Sequence, residues 1–516
     1  MNAPSSSVRR PARERARWVS ALQSVRRPTL AMVLWGLAIG VLGAIAMISF
    51  APHSWTIEGS RAAGLRASTR LLEDGGPLLL GRHGSRGSLY AIGAGDDLGI
   101  YVYLPLLARL FGFSDPVQLL RYCYAVLFGL SAAMYPVVFF KLTRSLLAGV
   151  AAPLMLLACA VSLGFNDIYW APAWGYLTAL PLLFLMARGR PRHGFLALLA
   201  LTLLASWLTT VRSSSGLPIL LACVIVMFMY RYRWWRVLGG LAVLGIAYVS
   251  IGAFVIGPIR THSDARLGAA ARSQNRSISH SFWHPAYLGL GYLPNGYGIR
   301  WLDSIAIARA QHDAPGTVYL SERYATVLRK AYFSTVRDHP AAVLKQYLAK
   351  ALVSAADMFL YLWPALLVGP AMLRLAPERR LWRECAALSM PAVVIAFLPM
   401  MVGIPLQIYE QGLYGAVGLL SILAICWAIE RTESAACEQG GLRAALATLS
   451  GLQRRADEPA RALRRSIAVG TFAVVLMLAG VAGAHFVRRS AERWSGVSSG
   501  VLIDYTHPPS AMAAPA

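Results

Sequence analysis

Apolar stretches, each about long enough to cross a lipid bilayer, recur through the whole chain. The hydrocarbon core of a bilayer is about 30 Å thick, and an α-helix needs about 20 residues to span it. We therefore predict an all-α polytopic membrane protein with about eleven transmembrane helices. The expected spans are residues 30–50, 116–140, 146–165, 173–187, 194–211, 217–230, 237–257, 348–373, 385–403, 413–429 and 466–486.

The basic residues predict how the chain is threaded through the membrane. Seven arginines precede the first span, and nearly every loop predicted on the same side is rich in arginine, as cytoplasmic loops are. We expect a protein of the bacterial inner membrane with a cytoplasmic N-terminus and a periplasmic C-terminus. We expect a basic cytoplasmic N-terminus (1–29) followed by an N-terminal membrane module (30–257) that contains the first outer loop (51–115). A periplasmic loop region (258–345), a C-terminal membrane module (346–486) and a periplasmic tail (487–516) complete the chain order that we expect.

The composition excludes several other classes of protein. The chain is 57% hydrophobic and only 14% charged, which is far from the usual balance of a soluble protein. Its formal net charge is +25, but the arginines form short clusters between apolar spans, so we expect membrane lipids as partners and no nucleic acid. The six cysteines form neither a disulfide framework nor a zinc-binding spacing.

The first outer loop contains the most informative polar residues. Residues 56–73 and 101–112 are expected to form two interfacial helices, because apolar residues alternate with arginines in the first and the second is too short to span. Asp96 and Asp97 stand just before the second helix and are flanked by glycines. An aspartate there either caps the helix or acts as a general base on a sugar or lipid hydroxyl. Both interpretations stay open for each residue.

Other outer loops supply further candidates. Asp167 and Tyr169 suit the binding of sugar hydroxyls, although aromatic residues also mark membrane interfaces. Arg212 precedes three serines and a glycine, a pattern that suits a phosphate oxyanion and equally an arginine reaching the lipid headgroups. Glu410 lies outside the ninth span and either closes the site or only borders it.

The long loop between spans seven and eight concentrates glycine, aromatic and charged residues, as a groove for carbohydrate or lipid phosphate would require. We place His284, Tyr297 and Asp303 among the substrate-binding candidates. Arg300 and Lys345 are candidates for the phosphate, although a lysine at the membrane entry also marks the interface. No metal-binding residues are assigned, and a divalent metal is left open.

The first outer loop resembles that of the membrane-embedded C-type glycosyltransferases (the GT-C superfamily), which include protein O-mannosyltransferases and lipid A aminoarabinose transferases. The similarity rests on one span, an outer loop with an interfacial helix ending in an acidic residue, and the motif that runs from Tyr101 through Leu104-Pro105-Leu106 to Asp115, with Arg121 behind it. It implies a polyprenyl-phosphate-linked sugar as donor and an acidic residue of this loop as the base. By resemblance that role falls to Asp96 or Asp97, and Tyr101 joins the substrate-binding candidates.

The leading hypothesis is thus an inverting glycosyltransferase that moves a hexosyl or pentosyl group to a hydroxyl of a glycan, lipid or protein on the periplasmic side. A polymerase or ligase of surface polysaccharide is the first alternative, and it would depend on Arg300 and His284 instead. A lipid or solute transporter is the second, and it would depend on a charged residue within a span, for which Asp357 is the main candidate.

Overall fold

The structure is a computed structural model, and it is almost entirely helical. It describes residues 28–49, 59–82, 87–92, 97–143, 146–163, 168–188, 191–229, 234–267, 282–374, 376–405, 413–420, 479, 482–491 and 493–494. The N-terminal helices are α1 (Pro28–Ser49), α2 (Gly59–Glu73), α3 (Ile100–Phe111), α4 (Leu119–Thr143), α5 (Leu146–Leu163), α6 (Ala171–Arg188), α7 (Pro191–Val211), α8 (Leu217–Met229), α9 (Trp234–Ile251) and α10 (Gly257–Arg266). The later ones are α11 (Trp283–Gly289), α12 (Asp303–Asp313), α13 (Glu322–Asp338), α14 (Pro340–Arg374) and α15 (Ala376–Val402).

Within these ranges, six helical segments are long and apolar enough to cross a membrane. They are Thr29–Ser49, Pro116–Leu142, Ile168–Ala187, Arg192–Val211, Trp234–Arg266 and Arg380–Val402. Each overlaps a span expected from the sequence. Residues 421–478, which contain most of the last two expected spans, lie outside the described residues, so the total of eleven stays a prediction.

The N-terminal helices pack around one large hydrophobic core. Its largest fully buried side chains include Trp174 and Tyr124, whose rings stack with centroids 6.3 Å apart. Helix α1 lies directly against α4, and Gly36 permits this approach because a Cβ there would come within 2.4 Å of the carbonyl oxygen of Ala132. Close helix contacts at small residues are typical of membrane proteins, where packing rather than water exclusion holds helices together.

The first outer loop forms a compact layer on this core. Helix α2 is followed by a two-stranded antiparallel hairpin, β1 (Leu80–Arg82) and β2 (Leu89–Ala91), in which Gly81 pairs with Tyr90. Helix α3 then packs against α2. Its N-terminal half is mostly buried in the core, and its C-terminal half exposes apolar side chains such as Leu110 and Phe111. Both short helices expected in this loop are therefore present, and the Asp115 carboxylate caps the turn that begins the next long helix, as its position before Pro116 predicts.

Helices α11 to α13 form a second, smaller core with the start of α14. The centre of this core is formed by Leu288, Tyr324 and Leu328. A proline often interrupts a helix, but α11 continues through Pro285. Pro285 is the third residue of α11, in the first turn, where the missing N–H costs no hydrogen bond.

Candidate functional site

Asp97 is buried, and its charge is balanced by an arginine from another helix. Its side chain is 3% exposed, and Arg61 of α2 donates a hydrogen bond from Nε to Oδ2 over 2.7 Å. The residue before α3, Gly99, makes no side-chain cap, and the carboxylate of Asp97 is turned toward α2. A buried carboxylate without a partner would be strongly unfavourable, so Arg61 is what makes this position tolerable.

The turn that carries Asp97 is fixed against the end of α7. The backbone N–H of Gly99 donates to the carbonyl oxygen of Thr210 over 2.7 Å, and the Tyr103 hydroxyl lies 3.0 Å from the Thr210 hydroxyl. A Cβ at Gly99 would lie 2.6 Å from that same carbonyl oxygen. Glycine is therefore required at this contact, and it brings the acidic turn close to Arg212, two residues beyond Thr210.

Tyr169 connects the two arginines of this region. The Arg212 guanidinium carbon lies 4.4 Å from the centre of the Tyr169 ring, and that of Arg61 lies 5.5 Å from it. Both distances allow a cation–π interaction. Four separate parts of the chain, α2, the turn before α3, the turn before α6 and the end of α7, thereby place two guanidinium groups and the Asp97 carboxylate together. We refer to Arg61, Asp97, Tyr169 and Arg212 as the Asp97 cluster.

An apolar cavity of about 330 Å³ lies beside the Asp97 cluster. It lies between α3, α4 and α7, and two of its lining residues are near members of the cluster in the chain: Val211 directly precedes Arg212, and Ile100 is three residues after Asp97. Its lining residues are Ile100, Tyr103, Leu104, Leu106, Leu107, Leu120, Cys123, Trp207 and Val211. The wall is almost entirely hydrocarbon, which suits an aliphatic chain and not a polar molecule.

A second polar group lies in the smaller core. The His284 ring is buried, with Nδ1 2.8 Å from the Tyr324 hydroxyl and Nε2 3.2 Å from Oδ1 of Asp303. The Tyr319 hydroxyl donates to Oδ2 of Asp303 over 3.3 Å. We refer to His284, Asp303, Tyr319 and Tyr324 as the Asp303 cluster.

For a neutral imidazole, the hydrogen bonds of the Asp303 cluster fix the tautomer. A carboxylate only accepts, so Nε2 carries the proton and Nδ1 accepts from Tyr324. Burial raises the pKa of Tyr324, and burial together with the Asp303 carboxylate raises the pKa of Tyr319. Both phenols therefore remain donors at neutral pH.

Of the four other predicted site residues that the structure describes, three make structural contacts and one is exposed. The Tyr101 ring is buried where α3 meets Gly64 of α2. Tyr297 donates its hydroxyl to the Leu290 carbonyl and stacks on His339. The guanidinium of Arg300 lies 4.3 Å from the Trp494 ring. Lys345 is exposed on α14.

Three predicted site residues, Asp96, Asp167 and Glu410, lie outside the described residues. Among the described residues, no group of three or more His, Cys, Asp or Glu side chains could hold a metal ion. Asp357, the residue named for a transporter, is paired with Arg488 and is nearly buried.

Sequence reasoning missed Arg61, Tyr319, Tyr324 and the cavity. Arg61 pairs with a residue 36 positions later, and only the packing of α2 on α3 reveals this pairing. Tyr324 had one available signal: Ser321 precedes a helical pattern, and its side chain caps α13 by accepting from the Tyr324 N–H. That cap would have placed Tyr324 in the first turn of a helix.

Comparison with known proteins gives one structural similarity. No protein-family model matches the chain, and no curated protein sequence matches it. Among solved structures, the chain is similar to the crystal structure of ArnT from Cupriavidus metallidurans bound to undecaprenyl phosphate, with 16% sequence identity, a TM-score of 0.31, and coverage of 79% of this chain and 80% of that chain.

Proposed function

We propose that the protein is a membrane glycosyltransferase that moves a sugar from a polyprenyl-phosphate donor to a hydroxyl acceptor at the outer face of the bacterial inner membrane. The observation that carries this proposal is the Asp97 cluster beside the apolar cavity. A polyprenyl-phosphate sugar has an aliphatic tail, a phosphate and a sugar in series, and the cavity, the arginines and the carboxylate match these three parts in that order.

The arginines suit the phosphate. A guanidinium donates several N–H groups in a planar fork, and it binds phosphate oxygens more strongly than a neutral donor does. Arg212 follows directly on a residue of the cavity wall, so a phosphate bonded to it would leave the lipid tail in contact with that wall. The same contact would stabilise the lipid phosphate as it departs.

Asp97 suits the base. In the proposed step its carboxylate takes the proton of the acceptor hydroxyl, and the hydroxyl oxygen forms a bond to the anomeric carbon of the sugar. The bond between that carbon and the phosphate oxygen breaks at the same time, and the polyprenyl phosphate leaves with the electron pair. Attack from the face opposite to the phosphate inverts the anomeric configuration.

The test is sugar transfer by Asp97→Asn and Asp96→Asn variants reconstituted in liposomes. The probes are radiolabelled mannose, glucose, galactose and aminoarabinose, each on a polyprenyl phosphate, with a crude cell-envelope fraction as acceptor. Loss of a positioned general base lowers the rate by about 10²- to 10⁴-fold. We expect that loss for the variant that lacks the base and a much smaller change for the other.

Asp115→Asn is the matched control. Asp115 also pairs with an arginine of α2, Arg66, but this pair is exposed and its atoms are 3.3 Å apart. Full activity in both Asp96→Asn and Asp97→Asn would overturn the proposed base. Glu58 lies three residues before Arg61 in the same loop. Loss of transfer only in Glu58→Gln would assign the role of base to Glu58 instead. Loss only in His284→Gln and Arg300→Ala would instead support the polysaccharide polymerase or ligase.

A further inference from the structure

The Asp303 cluster joins a buried histidine to an exposed carboxylate. The His284 side chain is 6% exposed, whereas that of Asp303 is 67% exposed. We propose that Asp303 and Tyr319 form a subsite for a neutral or amino sugar of the acceptor. This inference rests on the proposed function, because it assigns the acceptor side of the same reaction to a carbohydrate.

The carboxylate is held in one orientation from behind. One oxygen accepts from the His284 ring and the other from the Tyr319 hydroxyl, and His284 is itself fixed by the buried Tyr324. Networks of this kind restrict the rotation of a side chain that would otherwise move freely at the surface. A carboxylate fixed in advance binds a hydroxyl with a smaller loss of conformational entropy.

The backbone beside Tyr319 is strained. Leu320 has a φ of 58°, in the left-handed region that a side chain with a Cβ rarely adopts. Leu320 is nevertheless buried, and Ser321 directly after it caps α13. The strained residue therefore lies between Tyr319, which donates to Asp303, and the residue that caps α13, and strain of this kind concentrates at functional sites.

The surroundings of Asp303 match a sugar in chemistry. Leu302, Val318 and Tyr319 are partly exposed, at 41%, 47% and 37%. Leu302 directly precedes Asp303 in the chain, and Val318 directly precedes Tyr319, whose hydroxyl donates to Asp303, so both segments provide apolar surface near the carboxylate. A sugar ring has C–H groups that pack on apolar or aromatic surface and hydroxyl groups that donate to a carboxylate. A carboxylate cannot donate and repels acids, so this subsite selects neutral or amino sugars over uronic acids.

The experiment measures glycan binding without any donor. The full-length protein in lipid nanodiscs is applied to an array of oligosaccharides that end in mannose, galactose, glucosamine, N-acetylglucosamine, rhamnose or glucuronic acid. We expect binding to one or more of the neutral or amino glycans and none to those that end in glucuronic acid. Hydrogen bonds to a charged group contribute about 1.5–3 kcal/mol, so Asp303→Asn should weaken the bound glycan by about 10- to 100-fold.

Two further variants keep the test decisive. Tyr319→Ala removes the ring and the second hydrogen bond and should also weaken binding. Asp338→Asn changes another exposed carboxylate of the same module, one that is paired with Arg337, and should leave binding unchanged. The inference is overturned if the wild-type protein binds no glycan of the array, if Asp303→Asn and Tyr319→Ala bind as the wild type does, or if Asp338→Asn weakens binding equally.

The two proposals fail separately. Array binding requires neither donor nor catalysis, so it persists in Asp97→Asn whether or not that residue is the base. If transfer is established, Asp303→Asn should raise the KM for the glycan acceptor and leave kcat and the KM for the donor unchanged. A general loss of folded protein would instead lower the apparent kcat and leave both KM values unchanged.

Discussion

The Asp97 and Asp303 clusters each present one aspartate, and they hold it in opposite ways. Asp97 is buried and is balanced by a charged partner, Arg61, whereas Asp303 is exposed and is held by an imidazole and a phenol. The first arrangement needs an ion pair because a buried charge cannot be stabilised by water. The second needs only orientation because water already stabilises the charge. Burial therefore decides what kind of partner each of these aspartates requires.

Breaking the buried pair should have the largest effect. Arg61→Ala leaves the Asp97 carboxylate buried without its guanidinium, and such a change costs about 3 kcal/mol, the lower end of the range because Arg61 is about one-third exposed. Thermal unfolding in detergent, followed by circular dichroism, measures the change. Arg66→Ala breaks the exposed pair with Asp115 and should cost less than about 1 kcal/mol.

A double variant sharpens this result. Asp97→Asn removes the charge that Arg61 balances, so Arg61→Ala combined with Asp97→Asn should be less destabilised than the sum of the two single variants. Additive losses would show that the buried carboxylate does not depend on Arg61.

Displacing the turn that carries Asp97, by Gly99→Ala, should lower the stability by an intermediate amount. The Cβ of Gly99→Ala would lie 2.6 Å from the Thr210 carbonyl oxygen, so the turn must shift away from α7 and destabilise the fold by about 1–3 kcal/mol. We also expect slower sugar transfer, measured in the same liposome assay. Gly245→Ala in α9 meets no atom within 4 Å and should leave both unchanged or slightly raise stability. Equal behaviour of the two variants would show that the close contact is unimportant.

The smallest expected change in stability comes from removing the Tyr319 hydroxyl of the Asp303 cluster, and it is visible only at alkaline pH. Folding raises the pKa of Tyr319 above its ordinary value of 10, because burial and the Asp303 carboxylate both disfavour the phenolate. The folded protein therefore holds this proton more tightly than the unfolded chain does, so the stability that it contributes is complete below about pH 10 and falls as the pH rises above 10. The melting temperature, measured from pH 8 to 11, should fall less in Tyr319→Phe than in the wild type. Identical slopes would show that folding does not raise the pKa of Tyr319.

The sequence predicted the elements of the fold better than their arrangement. Hydrophobic length located the long helices, and Asp115 before Pro116 located the start of α4, because both signals are local. Tyr169 and Arg212 were named as candidates, but nothing in the sequence shows that they meet. Their contact depends on how α6 and α7 pack.

The candidate site was predictable only in part for the same reason. Asp97 and His284 stood out by residue type and by neighbouring glycines or aromatics, whereas Tyr319 lies in an ordinary-looking segment. Next to it, Leu320 adopts a left-handed backbone conformation. A glycine at this position would have indicated such a conformation in the sequence, whereas a leucine does not.

Helix α14 runs without a break from the smaller core into the expected eighth span. From Pro340 to residue 363 it contains no glycine and no internal proline, so it forms a straight lever of about 36 Å at 1.5 Å per residue. Its first turns belong to the small core that carries the Asp303 cluster, and its later turns enter the expected eighth span. A tilt of the small core would therefore turn this segment of α14 as one piece and move it against α15, the long helix on which it packs.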